Sequence, residues 1–499
     1  MSGLEHLLQR FQVVLTPANM MVCMVGVILG TIVDVLPSLG PMAAMSIMLP
    51  ITVRYGPLAG LILLTGVWYG AQYGGSTTSI LVNIPGEASS VVTCLDGYQM
   101  TRKGRAGAAL AVAAIGSFVA GTIGIIFLQL FGPLLANAAL SFGPPEFLTV
   151  MLFAIVTLAT LWGNSPLQGI LMVALGAFLS TIGVDRIAGV PRFTMGVPQL
   201  MYGIDFIPVA IGLFGIAEII RIMVEPYVPP SLTSVRMRDL YPNREEARRS
   251  VMPILRGSLV GCLTGMLPGS SAALASFIAY SVERSVSPQK EKFGTGMIEG
   301  VAAPESANNS AVIMALIPLL CLGIPFSPVS AVLLAGLQMH NVTPGPMLLQ
   351  TNPEIFWGLI ASMYIGNFLL LVLNLPLVGL FARISTMRPH MLMPAVGVLC
   401  LIGSYSIRNA LFDVGVMIAA GMVGFFLSRV GINILPVILG MVLGGILEDH
   451  LRVTIQWLNG DLSLIWTRPI ALIILALIPL YLILTHIAEK RVLKNQSAL

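Results

Sequence analysis

The feature that most constrains this chain is a succession of long apolar stretches with almost no charge inside them. They run at 18–35, 57–82, 107–132, 147–163, 166–184 and 205–223, and again at 257–280, 310–336, 355–381, 393–405, 411–428, 431–447 and 469–487. One long polar stretch, 224–256, separates the two series. A hydrocarbon core takes about 20 apolar residues per spanning helix, so about 10–13 membrane segments fit. Only 10% of the 499 residues are charged, against roughly 25% in soluble domains. No water-soluble core of this size is built with so few charges. Apolar runs that long lack the period-two alternation of a β-barrel. The expected class is an all-α polytopic membrane protein.

Charge placement gives the expected orientation, because Lys and Arg concentrate in cytoplasmic loops. Arg102, Lys103 and Arg105 form one group, Arg236 through Arg256 a second, Arg284, Lys290 and Lys292 a third, and Lys490, Arg491 and Lys494 a fourth. All four are read as cytoplasmic. The loops at 132–146 and 340–353 carry no Lys or Arg and are read as external. The net charge of +4 reflects this bias and is no footprint for nucleic acid. The five cysteines are scattered, with no CxxC, which supports neither zinc nor a disulfide framework. A P-loop is absent, as are HExxH and any Ser-His-Asp or paired-Asp constellation, so neither ATP hydrolysis nor an intramembrane hydrolase is indicated. The first fifteen residues read as an amphipathic helix lying at the interface.

The two halves resemble each other. Residues 84–100, IPGEASSVVTCLDGYQM, match 324–339, IPFSPVSAVLLAGLQM, with one gap. A Leu-Pro followed by small residues and an Ala/Ser-rich helix occurs at both 35–50 and 266–280. The first Gly-x-Gln-Met runs into a basic loop and the second into an uncharged one, so equivalent points fall on opposite sides. That is the signature of inverted-topology repeats. The expected organisation is a first membrane repeat over 1–223, a cytoplasmic linker over 224–256, and a second repeat with C-terminal helices over 257–499.

The interrupted stretches are the candidate sites. Apolar arms of about eleven residues flank Pro268-Gly269-Ser270-Ser271, each about 16 Å long, which suits a re-entrant hairpin better than one span. Its tip, and the counterpart at Pro37-Ser38, would offer an anion a helix N-terminus and hydroxyls. Gly74-Gly75-Ser76-Thr77-Thr78 suits an unwound segment whose carbonyls and hydroxyls ligate Na⁺ and substrate, or else a hydroxyl-rich packing face. Pro304, Glu305, Asn308 and Asn309 are costly in lipid and call for a watery cavity or protein partners, although a helix cap is an alternative. The carboxylates Asp34, Glu87, Asp96, Glu218, Glu299, Glu305 and Asp413 lie in or near apolar stretches, with Glu87 and Glu305 ranked first. Glu448, Asp449 and Arg452 read as a structural ion pair. Ser76, Thr78, Glu87, Glu305 and Asn308 are the candidate cation ligands.

At these residues the chain resembles the large membrane subunit of the tripartite tricarboxylate transporters. The matching stretches include GTIVDVLPSLG (30–40), YGAQYGGSTTSILVNIPGEASS (69–90), TGMLPGSSAALASF (264–277), FGTGMIEGVAAPESANNSA (293–311) and LGIPFSPVSAVLLAGLQM (322–339). The resemblance implies a secondary transporter of a bacterial inner membrane. It would take up citrate or a related carboxylate with Na⁺ as coupling ion, without a cofactor. Its partners would be a small membrane subunit and a periplasmic binding protein. Carried over residue by residue, the substrate site adds Pro85, Gly86 and Pro325. The chain departs from the family's Leu-Pro-Gly at Ser38 and from its second Ile-Pro-Gly at Phe326, where the side chain could narrow a cavity. Two other classes remain open: a stand-alone anion carrier or channel, and an enzyme acting on lipid-borne substrates.

Overall fold

The computed structural model describes residues 3–35, 40–162, 166–185, 187–224, 241–267, 272–384 and 393–496. The first half contributes α1 (Gly3–Val14), α2 (Pro17–Val35), α3 (Gly40–Thr52), α4 (Pro57–Val82), α5 (Val91–Arg102), α6 (Ala106–Ala139), α7 (Pro144–Trp162), α8 (Pro166–Ser180), α9 (Phe206–Ala210) and α10 (Ala217–Val224). The second contributes α11 (Arg244–Gly265), α12 (Ala272–Val286), α13 (Glu299–Met314), α14 (Leu316–Leu322), α15 (Pro328–Met339), α16 (Leu348–Thr351), α17 (Pro353–Ile384), α18 (Met393–Arg408), α19 (Leu411–Arg429), α20 (Leu435–Trp457) and α21 (Pro469–Gln496). The described strands are two residues each, β1 (Gly183–Val184) and β2 (Pro191–Arg192), paired antiparallel. Six helical stretches are long and apolar enough to cross a membrane, and six shorter apolar helices accompany them. The chain is an all-α polytopic membrane protein.

Two compact units form, each drawing on both halves: 1–136 with 210–425, and 137–209 with 426–499. In the first unit the two halves use one packing scheme. Helix α2 lies along α4, and α11 along α13, each pair closely joined through small residues four apart. Gly26 and Gly30 face Gly66 and Gly70, while Gly257, Gly261 and Gly265 face Ala303, Ala307 and Ala311. Lipid supplies no hydrophobic drive between helices, so close backbone approach is what holds such pairs together. A Cβ on Gly30 would stand 2.8 Å from the Val67 Cα and carbonyl carbon and would run into its carbonyl oxygen.

The matched segments fold alike. Both begin at a left-handed residue, Asn83 (φ 59°) and Gly323 (φ 75°). Both then reach an extended N-terminal residue, Glu87 (φ −138°) and Ser327 (φ −142°). The backbone N–H of each donates to a serine three residues on, Ser90 at 3.4 Å and Ser330 at 2.9 Å. A twelve-residue helix follows in each case, α5 and α15. These helices end at opposite ends of α4. Thr101 of α5 donates to the Ile80 carbonyl, whereas His340, just past α15, lies against Gly60 and Thr52. Gly60 and Ile80 are roughly 30 Å apart along the helix at 1.5 Å per residue. Equivalent points of the repeats therefore lie at opposite ends, which is the relation inverted repeats have.

Arginines of the first two basic groups are tied into the fold by acids. Arg105 pairs with Glu246, Arg249 with Glu299 at 2.7 Å, and Arg256 with Glu283 at 2.7 Å. The eleven-residue arms do not hold. Asn243 caps α11 with Glu246 in a reciprocal box, so the helix starts inside the polar stretch and runs 22 residues, while α12 runs 15. Residues 244–256 are thus the start of α11 rather than linker. The ion pairs and the cap make helix favourable where composition alone reads as loop. The residues expected at the hairpin tips, Pro37, Ser38, Pro268, Gly269, Ser270 and Ser271, lie outside the described residues. Helix α1 packs along α17, with His6 stacked on Trp357 at 6.5 Å. In the second unit, Asp185 and Glu448 share Arg192 and Arg452. The Ala188 amide and Arg452 hold the Asp185 carboxyl well below the usual carboxylate range.

Substituting Gly30→Ala is expected to lower stability by about 1–3 kcal/mol through overpacking against α4. Gly415→Ala, whose added Cβ meets no atom within 4 Å, serves as the control. Melting of the two purified variants in detergent checks this. Equal midpoints would contradict the packing scheme.

Candidate functional site

Of the seven carboxylates in or near apolar stretches, four have structural partners. Glu218 pairs with Arg221 at 2.6 Å, Glu299 with Arg249, and Asp413 with Arg408. Asp96 accepts the Gly294, Gly296 and Met297 amides at 2.7–2.9 Å and the Tyr280 hydroxyl at 2.8 Å. It ties α5 to α12 and to the start of α13. The other three, Asp34, Glu87 and Glu305, have no ion-pair partner among the described residues, and they come together.

Their meeting point is made by a loop that turns back. Helix α4 ends at Val82, yet Glu87, five residues further on, touches Gln72, ten residues before that end. Residues 84–90 therefore fold back about 15 Å along α4 before α5 leads out again. Irregular backbone at such depth is tolerated only where protein or a cavity covers it. Two glycines permit the approach: a Cβ on Gly86 would stand 2.5 Å from the Gly75 Cα and 2.7 Å from Asp34 Oδ2.

Glu87 accepts Gln72 Nε2 at 3.0 Å, Asn308 Nδ2 at 3.4 Å, and the Ser89 hydroxyl. Glu305 accepts the hydroxyls of Ser76 on α4 and Thr93 on α5. Residues of the first half thereby hold an acid of the second, and an amide of the second holds an acid of the first. Asp34, Glu305 and Asn308 are fully buried and Gln72 nearly so, while Glu87 is half-buried. Both Asp34 oxygens, Gln72 Oε1 and Asn308 Oδ1 have no hydrogen-bond partner. The Gly75 amide, though near Asp34, makes no well-formed bond to it. The Gln72 and Asn308 amides turn their NH₂ groups to Glu87, which directs their oxygens elsewhere. Four acceptor oxygens of the centre are thus unmatched, two of them on Asp34. A buried unpaired charge costs several kcal/mol, so such a centre favours a cation or protons.

The remaining sequence candidates are distributed as follows. Gly74 through Thr78 lie inside a continuous α4, so the unwound segment is not there. The hydroxyls bond backward into the helix: Ser76 to the Gln72 carbonyl at 3.1 Å, Thr77 to Tyr73 at 3.3 Å, and Thr78 to Gly75 at 3.0 Å. Such back-bonding satisfies a hydroxyl without breaking the helix. Ser76 also reaches Glu305, whereas no described bond joins Thr77 or Thr78 to the carboxylates. A cavity of about 20 Å³ beside Tyr73, Ser76, Thr77 and Ser117 has room for about one water. Pro304 through Asn309 likewise stay helical within α13. Asn309 turns to Ser117 of α6 at 2.7 Å rather than to Glu87. Pro85 and Gly86 belong to the folded-back loop. Pro325 is buried in the equivalent loop of the second half, next to the buried Phe326. Sequence reasoning missed Gln72 and Thr93, and it left Asp34 out of the site. Gln72 stands one helical turn before Ser76, which is the periodicity that could have found it.

Buried carboxylates and amides between apolar helices of the two halves are a feature that membrane transport pathways share. The chain matches, over residues 20–439, the family described as the tripartite tricarboxylate transporter TctA family, and it belongs to that family. It is similar to an uncharacterised 52.8 kDa protein in the TAR-I ttuC′ 3′ region of Agrobacterium vitis, 46% identical over 476 residues and 95% of each chain. A protein in the TAR-II ttuC′ 3′ region of the same organism is 48% identical over 217 residues, 44% of this chain and 90% of its own length. No solved structure gives a significant match.

Asp96→Ala would leave three backbone amides and a tyrosine hydroxyl without their acceptor. The expected loss is at least about 2 kcal/mol of stability. A detergent melt unchanged from the parent chain would show that the latch carries no stability.

Proposed function

We propose that this chain is the large membrane subunit of a secondary active transporter in a bacterial inner membrane. It takes up a tricarboxylate or related carboxylate, driven by a cation gradient, with Na⁺ as the coupling ion. A periplasmic binding protein delivers the substrate, and a small membrane subunit completes the system. The family supports the tripartite organisation, since that is the system its description names. The observation that carries the coupling is the acceptor-rich centre around Glu87, which lacks any cationic side chain of its own among the described residues.

Substrate and ion have different needs. A carboxylate is favoured at helix N-termini, and those of α3 and α12 follow Pro37-Ser38 and Pro268-Gly269-Ser270-Ser271. Helix α12 packs against Ala88–Ser90, beside Glu87, and Ser276 in its second turn donates to the Pro304 carbonyl at 3.1 Å. In this reading an anion at the α12 start and a cation at Glu87 are near neighbours. Each offsets the other's charge, so the loaded pair is less costly to move through lipid than either alone. Inverted repeats supply two related arrangements of similar energy, as alternating access requires. The movement is elevator-like, with the hairpins and the centre as the moving part.

The test is uptake of labelled citrate and other di- and tricarboxylates in proteoliposomes holding all three components. Uptake is expected only with an inward Na⁺ gradient and with the binding protein. Ser76→Leu and Asn308→Leu should abolish it while the protein still purifies as a folded species. Unchanged uptake in both variants would remove the site. Gradient-independent uptake would remove the coupling, and uptake without the binding protein would indicate a stand-alone carrier.

A further inference from the structure

Asp34 is the least explained residue in the molecule. It is fully buried, and both of its oxygens are without a hydrogen-bond partner. As the penultimate residue of α2 it stands at the negative end of that helix's dipole, where a carboxylate is disfavoured. Its nearest ionisable neighbour, Glu87, carries the same charge. A Cβ on Gly75 would meet both Asp34 Oδ2 and, at 3.3 Å, Glu87 Cγ, so the two carboxylates flank one glycine. A purely structural acid would have found an amide or an Arg, as Asp96, Glu218, Glu299 and Asp413 have.

We propose that Asp34 and Glu87, flanking Gly75, form the coupling-ion site, a monovalent-cation site completed by the amide oxygens of Gln72 and Asn308 once those amides turn over from the present arrangement, in which their NH₂ groups face Glu87. The donor set is all oxygen, two carboxylates and two amide carbonyls, which suits a hard cation such as Na⁺ and no soft metal. Glu305 is outside the set: the atoms nearest a Gly75 Cβ are those of Asp34 and Glu87, and both Glu305 oxygens accept hydroxyls, from Ser76 and Thr93. Its role is to hold α4 and α5 against α13, which keeps Asn308 beside Glu87. Thr78 is outside the set as well, its hydroxyl bonded to the Gly75 carbonyl. Since the chain supplies every ligand, the ion binds before the carboxylate does. The bound ion then offers the positive charge that attracts the substrate. This inference rests on the cation-coupled reading above for its meaning, but it is testable without transport.

The experiment is equilibrium binding of ²²Na⁺ to the purified full chain in detergent, with no carboxylate present. Saturable binding is expected, undisplaced by equimolar K⁺ and weakened as the pH is lowered, because protons compete for the same carboxylates. Asp34→Asn keeps the side chain's shape and should weaken Na⁺ binding at least tenfold. Should that variant not fold, Gly86→Ala, whose methyl would press on Asp34, should weaken binding similarly. Absence of saturable Na⁺ binding in the parent chain overturns the proposal, and so does parental affinity in either folded variant. Na⁺ binding without any carboxylate uptake would leave this site standing and remove the transport reading. Na⁺-driven uptake with parental Na⁺ dependence in Asp34→Asn would do the reverse.

Discussion

The structure depends on a buried acid held from across the molecule. Glu305, on a helix of the second half, accepts hydroxyls from Ser76 and Thr93 of the first. The partners are 229 and 212 residues away in sequence. In a low-dielectric interior these charge-assisted bonds are strong, and losing them would leave a carboxylate stranded at a cost of several kcal/mol. Asn308, one turn along α13, is thereby set beside Glu87. The close glycine and alanine packing of α2 on α4 and of α11 on α13 provides two rigid frames. Glu305 and Glu87 stitch those frames together.

This stitching differs in kind from the rest of the polar structure. The Tyr73–Asn367 hydrogen bond and the Asn367 bonds to Phe118 and Thr122 close on themselves. So do Asp96 with its four donors and the arginine pairs at the basic end. Around Glu87 the account stays open, with four acceptor oxygens unmatched. A centre that is incomplete without an occupant is one whose preferred arrangement depends on that occupant. The loop bearing Glu87 lies between α4 and α12, so on the proposed reading binding there has a direct mechanical consequence. An ion that draws Asp34 and Glu87 together changes what those two helices meet.

Much of this was legible in the sequence, and for physical reasons. Apolar runs of spanning length fix the class, since the cost of exposing backbone in lipid leaves little but helix. The repeat was visible because Pro85 and Pro325, and Ser90 and Ser330, serve one backbone path. Glu87, Glu305, Ser76 and Asn308 stood out as polar residues in apolar surroundings. The errors also have causes. Adjacent glycines and hydroxyls at 74–79 suggested unwinding, but back-bonded hydroxyls and tight packing on α2 keep α4 helical. The start of α11 was placed too late because its polar first turns are secured by a cap and by arginine pairs with distant acids. Asp34 was passed over because its distinction is a lack of partners, which shows only when the neighbours are in place. Asp96 stood among the possible cation ligands, below Glu87, and the amides that satisfy it come from residues about 200 positions on.

The proposed function turns on completion of the open acceptor cluster by a bound cation. Infrared difference spectroscopy of the purified chain, with aspartate and glutamate side chains isotopically labelled, reports on it directly. Exchanging K⁺ for Na⁺ should shift carboxylate bands belonging to one Asp and one Glu, with the shifts saturating over a single binding range. A Na⁺-minus-K⁺ spectrum with no labelled carboxylate band would contradict the account.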